Sequence, residues 1–397
     1  MTGGRREFAA AAILAATLAG CGEPGGETPE SARPDAPVAS TAEPLIDPAN
    51  VTVRQVFEQS AAAAARADLR QPRDLALDET GTLYVFDYAP PDHQQVVAFG
   101  PEGEFAYRFG ERDDRHDRIG PASQFTVTPW NYVMFVDGVG NALTSFLTMG
   151  TYVSSASLGG VGMAVHSMPE FGHYYLKKWD PPRRRAYVVH MQLPLDSLAM
   201  IYEVNLPPGQ SVRRDARDVS FLTTSDARSL LYVAFSDVYR IRVLDGTGST
   251  VRVVESSRRP VAKSPRELEI ERERLLERLQ RQVGDVSDSL MQDAVQPDTL
   301  FPLVEELSVD PGGRLWVRTH RPEVSTGTVY DVFNERGELI SWVAIPAVAR
   351  RTSFAPDGRL FVIDERDVTS PRIVAYEVGF APTPGGVVDT VPAPTDN

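Results

Sequence analysis

Leu75-Ala-Leu-Asp78-Glu-Thr-Gly81-Thr-Leu-Tyr84-Val-Phe-Asp87 is the stretch from which the fold can be read. An alternating run, a bend with Asp and Gly, and a second run rich in aromatic and β-branched residues predict two antiparallel strands joined by a tight turn. The pattern returns as Leu307-Ser-Val-Asp310-Pro-Gly-Gly313-Arg-Leu-Trp316-Val-Arg318, and again from Thr352 through Phe354, Asp357, Gly358 and Phe361 to Asp364. Weaker copies run from Phe125 through Trp130 to Asp137, and from Val219 and Phe221 across a longer turn to Leu230 and Asp237. The poorest copy is Tyr174 to Asp180 followed by Ala186 to His190, which brings the number to six.

Each copy is followed by a third strand and usually a fourth, as in Gln95 to Gly100 with Phe105 to Phe109, or Tyr239 to Asp245 with Val251 to Val254. Four antiparallel strands, repeated at a fixed period, predict an all-β fold: a six-bladed β-propeller over residues 51–381. The last unit has only three strands, ending at Phe380, while Val51 to Phe57 precedes the first unit with no partner of its own. That segment is expected to supply the missing strand and remove the open edge. A two-sheet sandwich and a pair of smaller β domains are the rival architectures; neither explains the regular return of the Asp-x-x-Gly turn.

The 397 residues are 42% hydrophobic and 24% charged, the composition of a folded soluble chain rather than a disordered one. A formal charge of −14 argues against nucleic acid as a partner, since phosphate binding needs clustered Lys and Arg. With one Cys there is no internal disulfide and no multi-cysteine metal site.

Residues 1–20 read as an export signal: Arg5 and Arg6 are followed by an apolar run, Phe8 to Thr17, too short to anchor in a bilayer. Leu18-Ala19-Gly20-Cys21 then resembles the lipobox of bacterial lipoproteins, which implies acylation of Cys21 and a membrane anchor. Because Gly22 is not an Asp, the resemblance implies the outer membrane, facing the periplasm or the cell surface. Residues 21–50 are rich in Pro, Gly, Glu and Ala and are expected to be a flexible tether, and 382–397 a disordered tail.

Phe109-Gly110 with Gly120-Pro121 and Gln124-Phe125, the Leu-Tyr-Val-x-Asp strand endings, and the step Asp237-Val-Tyr-Arg240-Ile241 resemble the NHL-like six-bladed propellers found as bacterial lipoproteins. The resemblance implies a disc with a central channel lined by the first strand of each blade. It also implies a docking surface in most members and, in a minority, a metal-dependent hydrolase or lyase.

One segment breaks the repeat. Ser264-Pro265-Arg266-Glu267 is a capping box, and Leu268, Leu275, Leu276, Leu279 and Val283 follow at helical spacing, so an amphipathic helical insertion is expected within 264–296. Its apolar stripe either packs on the propeller or meets a partner.

Ligand-binding residues are sought where the first strands begin, at the channel mouth. Aligning the copies puts Arg73-Asp74, Ser123-Gln124, His173, Arg217-Asp218, Glu305-Glu306 and Arg350-Arg351 in one ring. Charge at nearly every entry suits a small polar or peptide ligand, or an envelope protein. The expected function is therefore a non-enzymatic binding platform that needs no cofactor. The alternative is a propeller enzyme holding calcium or zinc on Asp74, Asp218, Glu305 and Glu306. No His-x-x-x-His pair occurs, although His166, His173 and His190 share one blade; Asp113 to Asp117 lacks the spacing of a calcium loop. No catalytic residue is assigned.

Overall fold

The repeated bend is a turn closed by its own Asp. The Asp78 carboxylate accepts the Thr80 and Thr82 amides, both at 2.9 Å, and the Tyr84 hydroxyl donates to its other oxygen at 3.1 Å. Asp226 repeats this with the Arg228 and Leu230 amides and the Tyr232 hydroxyl, and Asp310 with the Arg314 amide and the Trp316 indole. The last turn position needs left-handed backbone, which Gly81, Gly313 and Gly358 supply at φ 84, 79 and 88°. Asn131 and Ser229 take the same conformation at φ 62 and 63°.

The computed structural model describes residues 37–40, 43–89, 93–110, 122–137, 141–158, 161–180, 182–193, 196–205, 221–283, 297–324, 326–367 and 370–381. These hairpins grow into six antiparallel sheets, a six-bladed β-propeller. The innermost strands, in blade order, are Pro72–Leu77, Ala122–Val127, Val161–Ser167, Phe221–Ser225, Glu306–Val309 and Ala349–Phe354. Each touches the next around the ring, and the last touches the first. The outer strand of blade six is Val51–Glu58, paired antiparallel with Arg372–Phe380 from Val51 opposite Phe380 to Glu58 opposite Val374.

Six hydrophobic clusters hold the disc, one in each gap between neighbouring blades. Tyr84, Phe86 and Val96 of blade one meet Phe125, Phe135 and Phe146 of blade two; Trp316 and Tyr330 of blade five meet Val362 and Tyr376 of blade six. Burying such aromatic side chains contributes roughly 1.5–3 kcal/mol each, so every blade is stabilised mainly by its neighbours. The approach is close at Gly162, where an added Cβ would lie 2.4 Å from the Leu158 side chain and 2.7 Å from that of Val136.

Several expectations are corrected here. In blade three the innermost strand is Val161–Ser167, and the expected first strand, from Tyr174, belongs to the second strand His173–Asp180. The blade-three turn runs through Met168 and Gly172 and has no capping Asp, so the copy was displaced by one strand. In blade four the turn is not longer than the others: Asp226 caps it and Ser229 stands where Gly is usual. In blade six the turn closes on Ala355, and Asp357 bonds only its neighbour Arg359.

The flexible tether expected over 21–50 is likewise not free over its second half. Val38–Ser40 pairs in parallel with Val253–Glu255, adding a fifth strand to blade four. Farther on, the Leu45 and Ile46 amides donate to the Leu339 and Ile340 carbonyls of blade five. Backbone hydrogen bonds to open strand edges, rather than apolar burial, dock it, since Val38 and Leu45 stay exposed. Residues 1–36, with the expected signal and Cys21, and the tail 382–397 lie outside the described residues.

Candidate functional site

The channel encloses about 2050 Å³ and is lined by all six innermost strands. Strand pairing defines its upper ring: the residues opposite equivalent second-strand positions are Asp74, Gln124, Ala164, Leu222, Glu306 and Arg351 in blade order. Four of these were expected from sequence. His173 is not among them, because it follows the blade-three turn and so lies toward the opposite face. Its Nδ1 meets His190 Nε2 at 2.9 Å, and its Nε2 lies 3.5 Å from Glu170. Ala164 takes its place in the ring, and Leu222 stands where Asp218 was expected; Arg217 and Asp218 lie outside the described residues.

On the wall of blades five, six and one, charges alternate. Arg318 reaches in from the second strand of blade five and pairs with both Glu305 and Glu306 at 3.2 Å. Burial alone would lower the Arg318 guanidinium, but the two glutamates outweigh it and raise it above its ordinary value. Thr352 donates to Glu306 at 3.1 Å and meets Ser308 at 3.2 Å. Arg350 is tied to Glu365 and to the Arg73 carbonyl, and Arg73 to the Tyr88 carbonyl and Gln71, so neither guanidinium is held open toward the channel.

Arg351 differs. It lies 3.8 Å from Asp74 and 3.7 Å from Glu306, within ion-pair range but beyond hydrogen-bond length, with its side chain 40% exposed. Asp74 accepts the Leu75 amide at 3.0 Å, and burial pushes its carboxyl up against the opposing pull of Arg351.

The wall of blades three and four carries groups that the sequence reading missed. Lys177 Nζ donates to the Phe221 carbonyl and stands 5.0 Å over the Phe221 ring. Beside it, His166 Nε2 meets Thr223 Oγ1 at 2.8 Å. Burial, reinforced by Lys177, pushes the His166 imidazole down to about 3, so it stays neutral across the ordinary pH range. A signal for Lys177 and Arg318 was present: each puts a charge where the other second strands carry Phe86, Val136, Ala234 and Ile363. It is visible only once strand register is known.

The inserted helix spans Pro265–Val283, with the expected capping box closed by Ser264 and Glu267. It lies between the last strand of blade four and the first of blade five, and Ile270 and Glu273 line the channel. Among the described residues, no group of three His, Cys, Asp or Glu is disposed to hold a metal. Asp74, Glu305 and Glu306 face arginines rather than one another.

No protein-family model matches the chain, and no curated protein matches it in sequence. Solved structures do. A protein from Bacteroides fragilis, named as exported, is 11% identical over 87% of this chain and 100% of its own, with a TM-score of 0.53. A member of the DUF4221 family from Bacteroides vulgatus is 12% identical over 84% of this chain and 99% of its own, with a TM-score of 0.49. A streptogramin B lyase is 9% identical over 84% of this chain and 99% of its own, with a TM-score of 0.45. At these identities the likeness shows the fold alone.

Proposed function

We propose that this chain is an exported, lipid-anchored binding platform of the cell envelope, whose channel receives a small polar ligand, or the terminus of a peptide or protein, that carries an acidic group. The observation that carries the reading is Arg351. A guanidinium presents five N–H donors in a fork that matches a carboxylate, and this one stands on the channel wall near two acids while hydrogen-bonding neither. The acids orient the fork and leave its donors for an incoming anion. Export and anchoring rest on Arg5, Arg6, the apolar run and Leu18-Ala19-Gly20-Cys21; the Bacteroides fragilis neighbour, named as exported, is in keeping with them.

The test is capture of partners and small ligands from detergent-solubilised envelopes by the wild-type chain and by Arg351→Ala. Loss of one captured species, at an unchanged melting temperature, is expected. An unchanged capture profile overturns the reading. For the anchor, Cys21→Ser is expected to abolish acyl labelling and membrane fractionation, and its retention in carbonate-washed membranes overturns that part.

A further inference from the structure

A second cavity, of about 210 Å³, lies outside the channel between blades four and five. Its walls are Arg258 to Val261 after the last strand of blade four, Phe301 to Leu303 before the first strand of blade five, and the end of the second strand of blade five with the loop beyond it, Thr319 to Glu323. Hydrogen bonds tie these walls together. The Phe301 amide donates to the Val261 carbonyl at 2.8 Å, the Leu303 amide to the Ser236 carbonyl at 2.7 Å, and the Thr319 hydroxyl to the Leu303 carbonyl at 2.9 Å.

Cations converge on this cavity. Arg258 comes from blade four and Arg321 from blade five, and both grip one buried carboxylate, Asp331, Arg258 with two nitrogens at 3.2 Å and Arg321 at 2.8 Å. The Tyr239 hydroxyl donates to the same carboxylate at 2.8 Å. Two guanidiniums repel one another at such separations, and the shared acid holds them side by side. A third, Arg259, is exposed, and neither it nor His320 makes a hydrogen bond or ion pair among the described residues. His320 is held instead by its ring, stacked on Phe301 with 3.6 Å between centroids and 5° between planes.

The charges of this wall do not balance. Three guanidiniums stand against two carboxylates, Asp331 and Glu323, and Glu323 is engaged with Arg321 at 3.0 Å. The acids of the adjoining helix are engaged as well, Glu271 by Lys263 at 2.6 Å and Glu267 by the Ser264 amide at 2.6 Å. A concave site with a positive excess, in a chain whose formal charge is −14, draws an anion.

We propose that this cavity binds a phosphate group, with Arg259 and His320 donating to its oxygens and the Arg258 and Arg321 pair supplying the positive field. The two donors stand on different walls; a phosphate offers them three terminal oxygens, where a carboxylate offers two in one plane. Val261, Pro302, Leu303 and Pro322 line the remainder, which suits a monoester with a compact apolar body. The site is separate from the channel, since the two cavities share no lining residue.

The test is calorimetric titration of the full chain with phenyl phosphate, inorganic phosphate and benzoate. Saturable binding of phenyl phosphate is expected, weakened at least about tenfold by Arg259→Ala and by His320→Phe, which keeps the stack on Phe301 and removes the ring nitrogens. Tighter binding of phenyl phosphate than of inorganic phosphate identifies a monoester as the ligand chemistry; equal binding of the two identifies free phosphate. Should His320→Phe fail to fold, Arg259→Ala decides. No binding of either phosphate, benzoate bound as well as phenyl phosphate, or wild-type affinity in Arg259→Ala overturns the proposal. Loss of binding through Arg351→Ala in place of Arg259→Ala puts the anion in the channel, which overturns this site and supports the channel reading.

Discussion

The wall of blades five and six and the wall of blades three and four place a cation at the same register position and surround it differently. Arg318 is held by two carboxylates of its own chain, and its blade keeps the second-strand charge as a structural pair. Lys177 meets a carbonyl, an aromatic face and a neutral imidazole. The difference teaches that one architectural position can hold a cation against carboxylates of its own chain where the opposing residue is a glutamate, or against a carbonyl and an aromatic face where it is an alanine.

The largest effect separating the walls is expected from Glu306→Ala. It leaves Arg318 short of one of its two acids inside the channel wall and should cost about 3 kcal/mol in denaturant unfolding. Lys177→Met keeps the volume and removes the charge, and should change stability by less than about 1.5 kcal/mol in either direction. Equal losses in the two variants would break the comparison.

A second test uses pH. His166 titrates near 3 in the folded protein and near 6.5 when unfolded, so the unfolded chain takes up the proton first on acidification. Its contribution is fully present above about 6.5 and is lost as pH falls toward 3, at up to about 1.4 kcal/mol per pH unit. Comparing wild type with His166→Asn isolates this slope from the carboxylates; identical slopes would place His166 in a wetter setting than the wall described above.

The smallest effect concerns Asp74. Burial raises its carboxyl, so its ionised form is disfavoured by folding above the ordinary aspartate range. Asp74→Asn should raise the melting temperature slightly at pH 7, and the gain should shrink as pH falls and vanish below the ordinary aspartate range, where the carboxyl is protonated in both states. A lowered melting temperature at pH 7 would mean that the Arg351 pair outweighs burial.

The blades were legible because their turns are local chemistry: an Asp at the bend, a left-handed residue three positions on, and an aromatic after it. Where Thr128 and Asn131, or Ala355, stand in for the usual residues, the copies were still found, because the strands on either side kept their pattern. Blade three failed because its turn has no Asp and no such flanking pattern was recognised, and His173 was carried into the ring by that error. Arg351, Glu306, Asp74 and Gln124 were legible because they start recognisable strands. Lys177 and Arg318 were not, because they reach the channel from second strands, and whether a second-strand side chain points to a neighbouring blade or to the channel depends on pairing register.

The strand Val51–Glu58 is among the first parts of the fold to be synthesised, yet its partner, Arg372–Phe380, is among the last. Bringing residues 58 and 372 together closes a loop of more than 300 residues, an entropic cost on the order of 5 kcal/mol before any pairing is formed. Ring closure is then a late step in folding, and until it occurs both partners are open sheet edges. Thr52, Arg54, Gln55 and Glu58 keep the early strand polar during that wait. A permuted chain in which residue 51 follows residue 381 would turn the same pairing into a local hairpin, speeding closure while leaving the finished ring as it is.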